Sequence, residues 1–273
     1  MKDPRNDGYI LGHTDQELRR LRRQAAVYAE FTEETLRRAG LEPGMSVLDV
    51  GCGAGDVSLA AARIVGPSGA VRGIDRSGDA LALAIGRAAE LGLTQVRFEQ
   101  ADLGDPDDRI YDAVIGRFIL LHCTDPAAAL GTVVSRVRPG GHVAFVELDL
   151  SAADVVPPMP LFAEALGWIR EVYVRKGFHM DMGSKLYAAF RACGLEPELM
   201  ANVRVEAGAD AYAYEYTAET VRSLLPLIEA LGVATRDTVG VDTLAERIRT
   251  AALDGAHCFF YPRLVGAVAR KLG

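Results

Sequence analysis

Between residues 41 and 150, short aliphatic and β-branched runs alternate with helical stretches, and that alternation confines the chain to very few folds. The runs at 46–50, 70–74, 96–98, 113–115 and 142–147 are too short for helices and rich in Val, Ile and Leu. The stretches at 56–65, 77–91 and 126–137 show helical spacing. Strands joined through helices imply right-handed crossovers and a parallel sheet covered on both faces. The expected class is α/β, a doubly wound, mostly parallel sheet with helical cap or lid insertions.

The flanks are read separately. Residues 1–40 form an N-terminal helical cap, with Thr14 and Glu17 spaced as a capping box and Gly40 as the stop. After the α/β unit at 41–150, the run Pro157-Pro158-Met159-Pro160 interrupts the pattern, because proline lacks an amide donor and restricts its neighbour. Residues 151–183 are taken as a lid insertion and 184–273 as the rest of the core with its own helical insertion. Within them helices are expected at 161–174, 184–193, 212–231 and 242–253 and a strand at 198–205. Residues 257–261 have β-rich composition, with a short basic helix after them.

The loop Val50-Gly51-Cys52-Gly53-Ala54-Gly55-Asp56 joins the first strand to the first helix, at the edge where ligands bind in such sheets. Gly51 and Gly53 remove side chains so that backbone can lie against a ligand. In the dinucleotide fingerprint G-x-G-x-x-G the last glycine stands where this chain has Asp56. A carboxylate there opposes a diphosphate, whereas Asp49 and Asp56 on either side of the loop suit a ligand with positive charge. Asp75 closes the second strand about twenty residues on, where an acid accepts two hydrogen bonds from a ribose diol. Asp102 follows the third strand and can accept from an exocyclic amine.

Loop, diol acid, Asp102 and the turn Arg138-Pro139-Gly140-Gly141 together resemble the class I S-adenosylmethionine-dependent methyltransferases of bacterial small-molecule metabolism. The resemblance implies a seven-stranded sheet, with S-adenosylmethionine as cofactor and S-adenosylhomocysteine as product. It implies that Asp49, Gly51 and Gly53 line the methionine part, that Asp75 and Arg76 lie at the ribose, and that Asp102 and Leu103 hold the adenine. The main chain near Gly116 or Arg117 then reaches the methionine ammonium. The N-terminal segment is similar to the family's cap, which assigns Tyr9 and Gln24 to the cofactor. Residues 258–261 are the expected antiparallel seventh strand.

Methyl transfer from a sulfonium rests on alignment, and a proton acceptor is optional. His122, after the fourth strand, and His179, in the insertion, are the candidate catalytic residues, while His142 and His257 read as structural. The aromatics Phe162, Trp168, Tyr173, Phe178, Tyr212, Tyr214 and Tyr216 suit a flat or greasy acceptor in an apolar pocket, although such residues also build ordinary cores. Thirty Lys plus Arg against thirty-seven Asp plus Glu leave a net charge of −7, which disfavours nucleic acid. The arginines at 19, 20, 22, 23, 37 and 38 alternate with leucines and acids as on a solvated face.

Four scattered cysteines give no metal-ligand or disulfide spacing, so no metal is expected. No apolar stretch reaches the ~20 residues of a membrane span and no signal-peptide core opens the sequence, so a cytoplasmic enzyme is expected. Its partner is a small-molecule substrate, with no membrane involved and room for a homodimer. The alternatives on the same scaffold are a repurposed S-adenosylmethionine-binding protein that transfers no methyl group, and an RNA methyltransferase.

Overall fold

The computed structural model describes residues 15–105 and 108–272, with side chains described from residue 26 onward. In chain order its elements are α1 (Asp15–Arg38), β1 (Ser46–Val50), α2 (Asp56–Val65), β2 (Ala70–Asp75), α3 (Gly78–Glu90), β3 (Val96–Gln100), β4 (Tyr111–Arg117), α4 (Pro126–Val134) and β5 (Val137–Asp149). There follow β6 (Asp154–Val156), α5 (Pro160–Lys176), α6 (Met182–Ala192), β7 (Glu198–Asn202), β8 (Val205–Ala207), α7 (Ala213–Ala230), α8 (Arg236–Val239), α9 (Leu244–Asp254), β9 (Cys258–Phe260) and β10 (Arg263–Arg270). Tyr9 lies outside the described residues, as does the side chain of Gln24.

The chain divides into two compact units. The larger, Leu21–Leu148 with Met182–Ala201 and Leu264–Gly273, holds a seven-stranded sheet in the order β3-β2-β1-β4-β5-β10-β7. From β3 to β5 every neighbouring pair is parallel. The bonds Gly140 N–H to Lys271 O (2.7 Å) and Lys271 N–H to Gly141 O (2.8 Å) bring the end of β10 to the start of β5, so β10 runs the opposite way. Leu36, Val47, Ala61, Val65, Ile115 and Val268 belong to one buried cluster that joins α1 and α2 to the sheet. Full burial of each large aliphatic side chain contributes about 1.5 to 3 kcal/mol relative to exposure.

The smaller unit is built from Asp149–Asp181 and Asn202–Arg263. Its α7 packs against both α5 and α9, and β6, β9 and β8 form a three-stranded antiparallel sheet. Among the described residues no helix is long and apolar enough to cross a membrane.

Two expectations are corrected. Cys258–Phe260 is the middle strand of the small sheet, and the seventh-strand place in the large sheet goes to β10, where a basic helix was expected. Leu264, Val265, Ala267, Val268 and Ala269 are all buried, and a run apolar on both faces has no period to separate strand from helix. Burial in the sheet overrides the helix preference of Leu and Ala. The strand expected over 198–205 is broken into β7 and β8, which belong to different sheets.

Candidate functional site

Register places the polar residues of the larger unit along one sheet edge. Val50 of β1 lies opposite Ile74 of β2 and Gly116 of β4, while Arg117 lies opposite Val146 of β5. Asp49, Asp75, Arg117 and Glu147 therefore stand at the carboxyl ends of four neighbouring parallel strands, and Asp102 follows the fifth. Strand order reverses between β1 and β4, and in such sheets the crevice at that point is where ligands lie.

The loop from Gly51 to Gly55 covers this edge. Gly51 has φ +66°, and a Cβ there would come within 2.6 Å of Ile119 Cδ1, so no other residue fits without displacing the β4 turn. Gly53, at φ +52°, has nothing within 4 Å of where its Cβ would be. Its amide points inward, donating to Asp75 Oδ2 at 2.8 Å, while Ser77 N–H donates to Asp75 Oδ1 at 2.8 Å. Each carboxylate oxygen keeps a further lone pair, enough to accept from a vicinal diol.

Asp49 is fully buried and accepts from Ser58 Oγ at 2.5 Å through Oδ2. Its Oδ1 is buried and has no partner among the described residues. Burial is the main reason its pKa is pushed up to about 7, while the Ser58 hydrogen bond and the Arg117 charge oppose that rise. Arg117 is 11% exposed, lies 3.6 Å from Asp56 Oδ2, and donates to Thr32 Oγ1 of α1 at 3.1 Å. Its guanidinium carbon stands 5.4 Å from the centre of the Phe118 ring, and burial lowers its pKa against the pull of Asp56 and Asp49.

Asp56 does not act as the second free acid of the loop. Arg87 holds its Oδ1 at 2.7 Å and Arg117 faces its Oδ2, so its charge is spent inside the protein. Asp49, by contrast, keeps one carboxylate oxygen without a partner among the described residues.

Glu147 was not singled out in the sequence. It is fully buried, and Oε1 accepts from the amides of Ile119 (3.0 Å) and Leu120 (2.7 Å). Those bonds fix the turn after β4, in which Phe118 adopts φ +56°, a sparsely populated conformation for a bulky residue. Its ring packs edge-on to Tyr28 of α1, with 5.3 Å between ring centres. Burial lifts Glu147 to about 8, and Oε2 has no partner among the described residues. A carboxylate closing an apolar strand was the available signal.

His122 ends the same turn, and burial brings it down to about 4, so it is neutral at pH 7. Arg76 and Asp102 pair at 2.5 Å on the surface, 57% and 44% exposed, and Leu103 is half-buried beside them. His179 belongs to the smaller unit and is half-buried. His142 lies against Gly40, and His257 Nδ1 is 2.6 Å from Pro157 O.

A family model described as a methyltransferase domain matches residues 41–166. A demethylmenaquinone methyltransferase of Bacillus cytotoxicus is 35% identical over 119 residues, 43% of this chain and 50% of that protein. The aklanonic acid methyltransferase DauC of Streptomyces sp. strain C5 is 30% identical over 164 residues, 55% of this chain and 74% of that one. The chain belongs to the class I S-adenosylmethionine-dependent methyltransferases. The YcgJ protein of Bacillus subtilis shares the fold of this family member, with a TM-score of 0.61 and 18% identity over 89% of this chain and 99% of that one. The chain spans about half the length of the first curated relatives it matches.

Proposed function

We propose that the chain transfers the methyl group of S-adenosylmethionine to a small, neutral, largely apolar acceptor. The observation behind this is the pairing of an open glycine loop with a buried acid: Gly53 faces free space, and Asp49 Oδ1 is buried without a partner at the same strand end. An orphaned carboxylate oxygen in a dry site answers an ammonium group and opposes a diphosphate. Asp75 answers a diol with its remaining lone pairs. The DauC and demethylmenaquinone methyltransferase relatives, named for small-molecule acceptors, support the same reading.

In this proposal Asp49, Gly51, Gly53 and the backbone at Arg117 hold the methionine part, Asp75 and Arg76 the ribose, and Asp102 and Leu103 the adenine. Tyr9 and Gln24 are proposed to touch it. When bound, the cofactor supplies an electrophilic methyl group on a sulfonium and leaves as S-adenosylhomocysteine. The protein's own work is alignment, for which proximity and orientation can supply about 7 to 11 kcal/mol. Glu147 contributes by fixing the turn that packs on Gly51 through Ile119. His122, neutral at pH 7, accepts a hydrogen bond from an acceptor hydroxyl, and its low basicity suits an acceptor that is itself acidic. His179 is the second candidate for that part.

Calorimetry on the full chain tests the reading, with S-adenosylmethionine and S-adenosylhomocysteine expected to bind and NAD to give no heat. Uptake of NAD with indifference to both sulfur compounds would overturn it. Tight cofactor binding without S-adenosylhomocysteine formation across phenols, enols and amines would leave the scaffold without the transfer.

A further inference from the structure

Three of the five residues from Gly51 to Gly55 are glycine, and a segment so poor in side chains has little packing of its own to fix its shape. It has to be tied from outside. Cys52 N–H donates to Ile74 O at 2.9 Å, which holds the base of the loop to β2. The tip is held at two points, by Asp75 at Gly53 N–H and by Arg87 of α3 at the Ala54 carbonyl, to which Arg87 Nη1 donates at 2.6 Å.

The Arg87 fork makes a second contact. Its Nη2 lies 2.7 Å from Asp56 Oδ1, so one planar group joins the tip of the loop to the first residue of α2. The two side chains are 22% and 19% exposed, and a pair so covered is screened far less than a surface pair. Ala84, one turn earlier on α3, is fully buried, and a Cβ at Gly55 would come within 3.0 Å of its Cβ. Helix α3 thus meets the loop at Ala54, Gly55 and Asp56 in succession. The start of α3 is fixed in turn by Asp75, whose Oδ1 accepts from Ser77 N–H at 2.8 Å.

The grip reaches past the loop. With Asp56 Oδ1 held by Arg87, Oδ2 stands 3.6 Å from Arg117, too far for a hydrogen bond. Among the described residues the Arg117 guanidinium makes one hydrogen bond, to Thr32 of α1, although it carries five N–H groups. Without Arg87, Asp56 keeps Arg117 as its ion-pair partner and closes on it, drawing the guanidinium away from the end of β4.

We infer that Arg87 is a positioning residue for cofactor binding, which clamps the tip of the glycine loop and holds Asp56 off Arg117. The clamp follows from the contacts of α3 alone; that the loop it shapes holds S-adenosylmethionine rests on the methyltransferase reading.

The test compares the full chain with Arg87→Met, which keeps an unbranched stem and loses both contacts. Circular dichroism and the thermal midpoint report that the fold persists. Amide hydrogen exchange without cofactor is expected to quicken about 10-fold over residues 51–59 in the variant and to stay unchanged over β10. In calorimetry the variant should bind S-adenosylhomocysteine about 10-fold more weakly, the scale of one charge-assisted hydrogen bond. Adenosine, which lacks the amino-acid end, should weaken by less than about 2-fold, a split that a general loss of structure would not produce. Asp56→Asn should also weaken S-adenosylhomocysteine, and the double variant should fall no more than about 2-fold below the worse single one, because the two side chains act as a unit. Unchanged exchange over 51–59, equal losses for the two ligands, or losses that multiply in the double variant would overturn the inference. A native chain that binds neither ligand, with the loop quickened in Arg87→Met, sinks the methyltransferase reading and leaves the clamp. A native chain that binds both, with exchange the same in the variant, sinks the clamp alone.

Discussion

The two units use polarity in opposite ways. In the larger, Asp49 and Glu147 are buried at strand ends and the Arg117 side chain is 11% exposed, and each is tied to backbone or to another side chain around an edge with open space at Gly53. In the smaller, Phe162, Leu166, Ile169 and Phe259 line an apolar cavity, and the Thr217 and Thr220 hydroxyls beside them donate to carbonyls of their own helix region. One arrangement holds fixed charge at a sheet edge; the other is a wall of apolar shape. Buried charge needs partners at defined positions, whereas an apolar wall tolerates many side chains of similar volume.

The difference has measurable consequences, of which the largest concerns Glu147. Glu147→Ala leaves the amides of Ile119 and Leu120 without their acceptor and is expected to cost about 2 to 6 kcal/mol in denaturant unfolding, at 1 to 3 kcal/mol per orphaned group. Thr217→Val in the smaller unit should cost under about 1 kcal/mol, and comparable losses would erase the contrast between the units. Next comes Asp75→Ala, which removes the acceptor for Gly53 N–H and Ser77 N–H as well as the proposed diol partner. S-adenosylmethionine affinity should fall about 10- to 100-fold, and an unchanged dissociation constant removes Asp75 from the site.

Two acids give the larger unit a pH signature. Both are raised by burial, Asp49 from 3.8 to about 7 and Glu147 from 4.5 to about 8, so the native state holds their protons more tightly than the unfolded chain. Their contribution is fully present below about pH 4 and is lost as pH rises toward 8. Glu147→Gln keeps an acceptor for the two amides and should flatten the upper part of that slope in unfolding measured from pH 4 to 9. A cationic ligand facing Asp49 must displace its proton, so S-adenosylmethionine affinity should weaken as pH falls below about 7 and release a proton on binding. Asp49→Asn should abolish that dependence; a pH-independent affinity in the native protein would show that Asp49 does not face the cation. The smallest effect is expected from Arg76→Ala, whose pair with Asp102 is exposed at both ends and contributes about 0 to 1 kcal/mol. The proposed place of Arg76 at the ribose is a separate matter from that pair, and unchanged cofactor affinity in the variant would remove Arg76 from the site.

The same contrast governs what the amino-acid order reveals. Strands β1 to β5 and the glycine loop are legible because crossovers demand alternating periods, and because a tight turn over a ligand demands Gly and Asp at set intervals. Glu147 is not legible, since a lone acid in an apolar strand has no periodic mark, and only tertiary burial shows which amides it serves. That Arg87 and Arg117 neutralise Asp56 depends on pairs 31 and 61 residues apart in sequence, which no local pattern encodes. β10 reads as helix because its burial on both faces comes from distant neighbours. Which aromatics meet in the smaller unit is not legible, since Phe162 and Phe259 are ordinary core residues until the fold brings them together.

The position of β10 between β5 and β7 also bears on how the protein is made. A ribosome that has emitted β1 to β9 presents β5 as a bare ladder of amides and carbonyls, and β7 has nothing to join. The sheet cannot close until residues 263–270 emerge. During that interval the hazard is strand addition between nascent copies, the ordinary risk of an uncovered sheet margin.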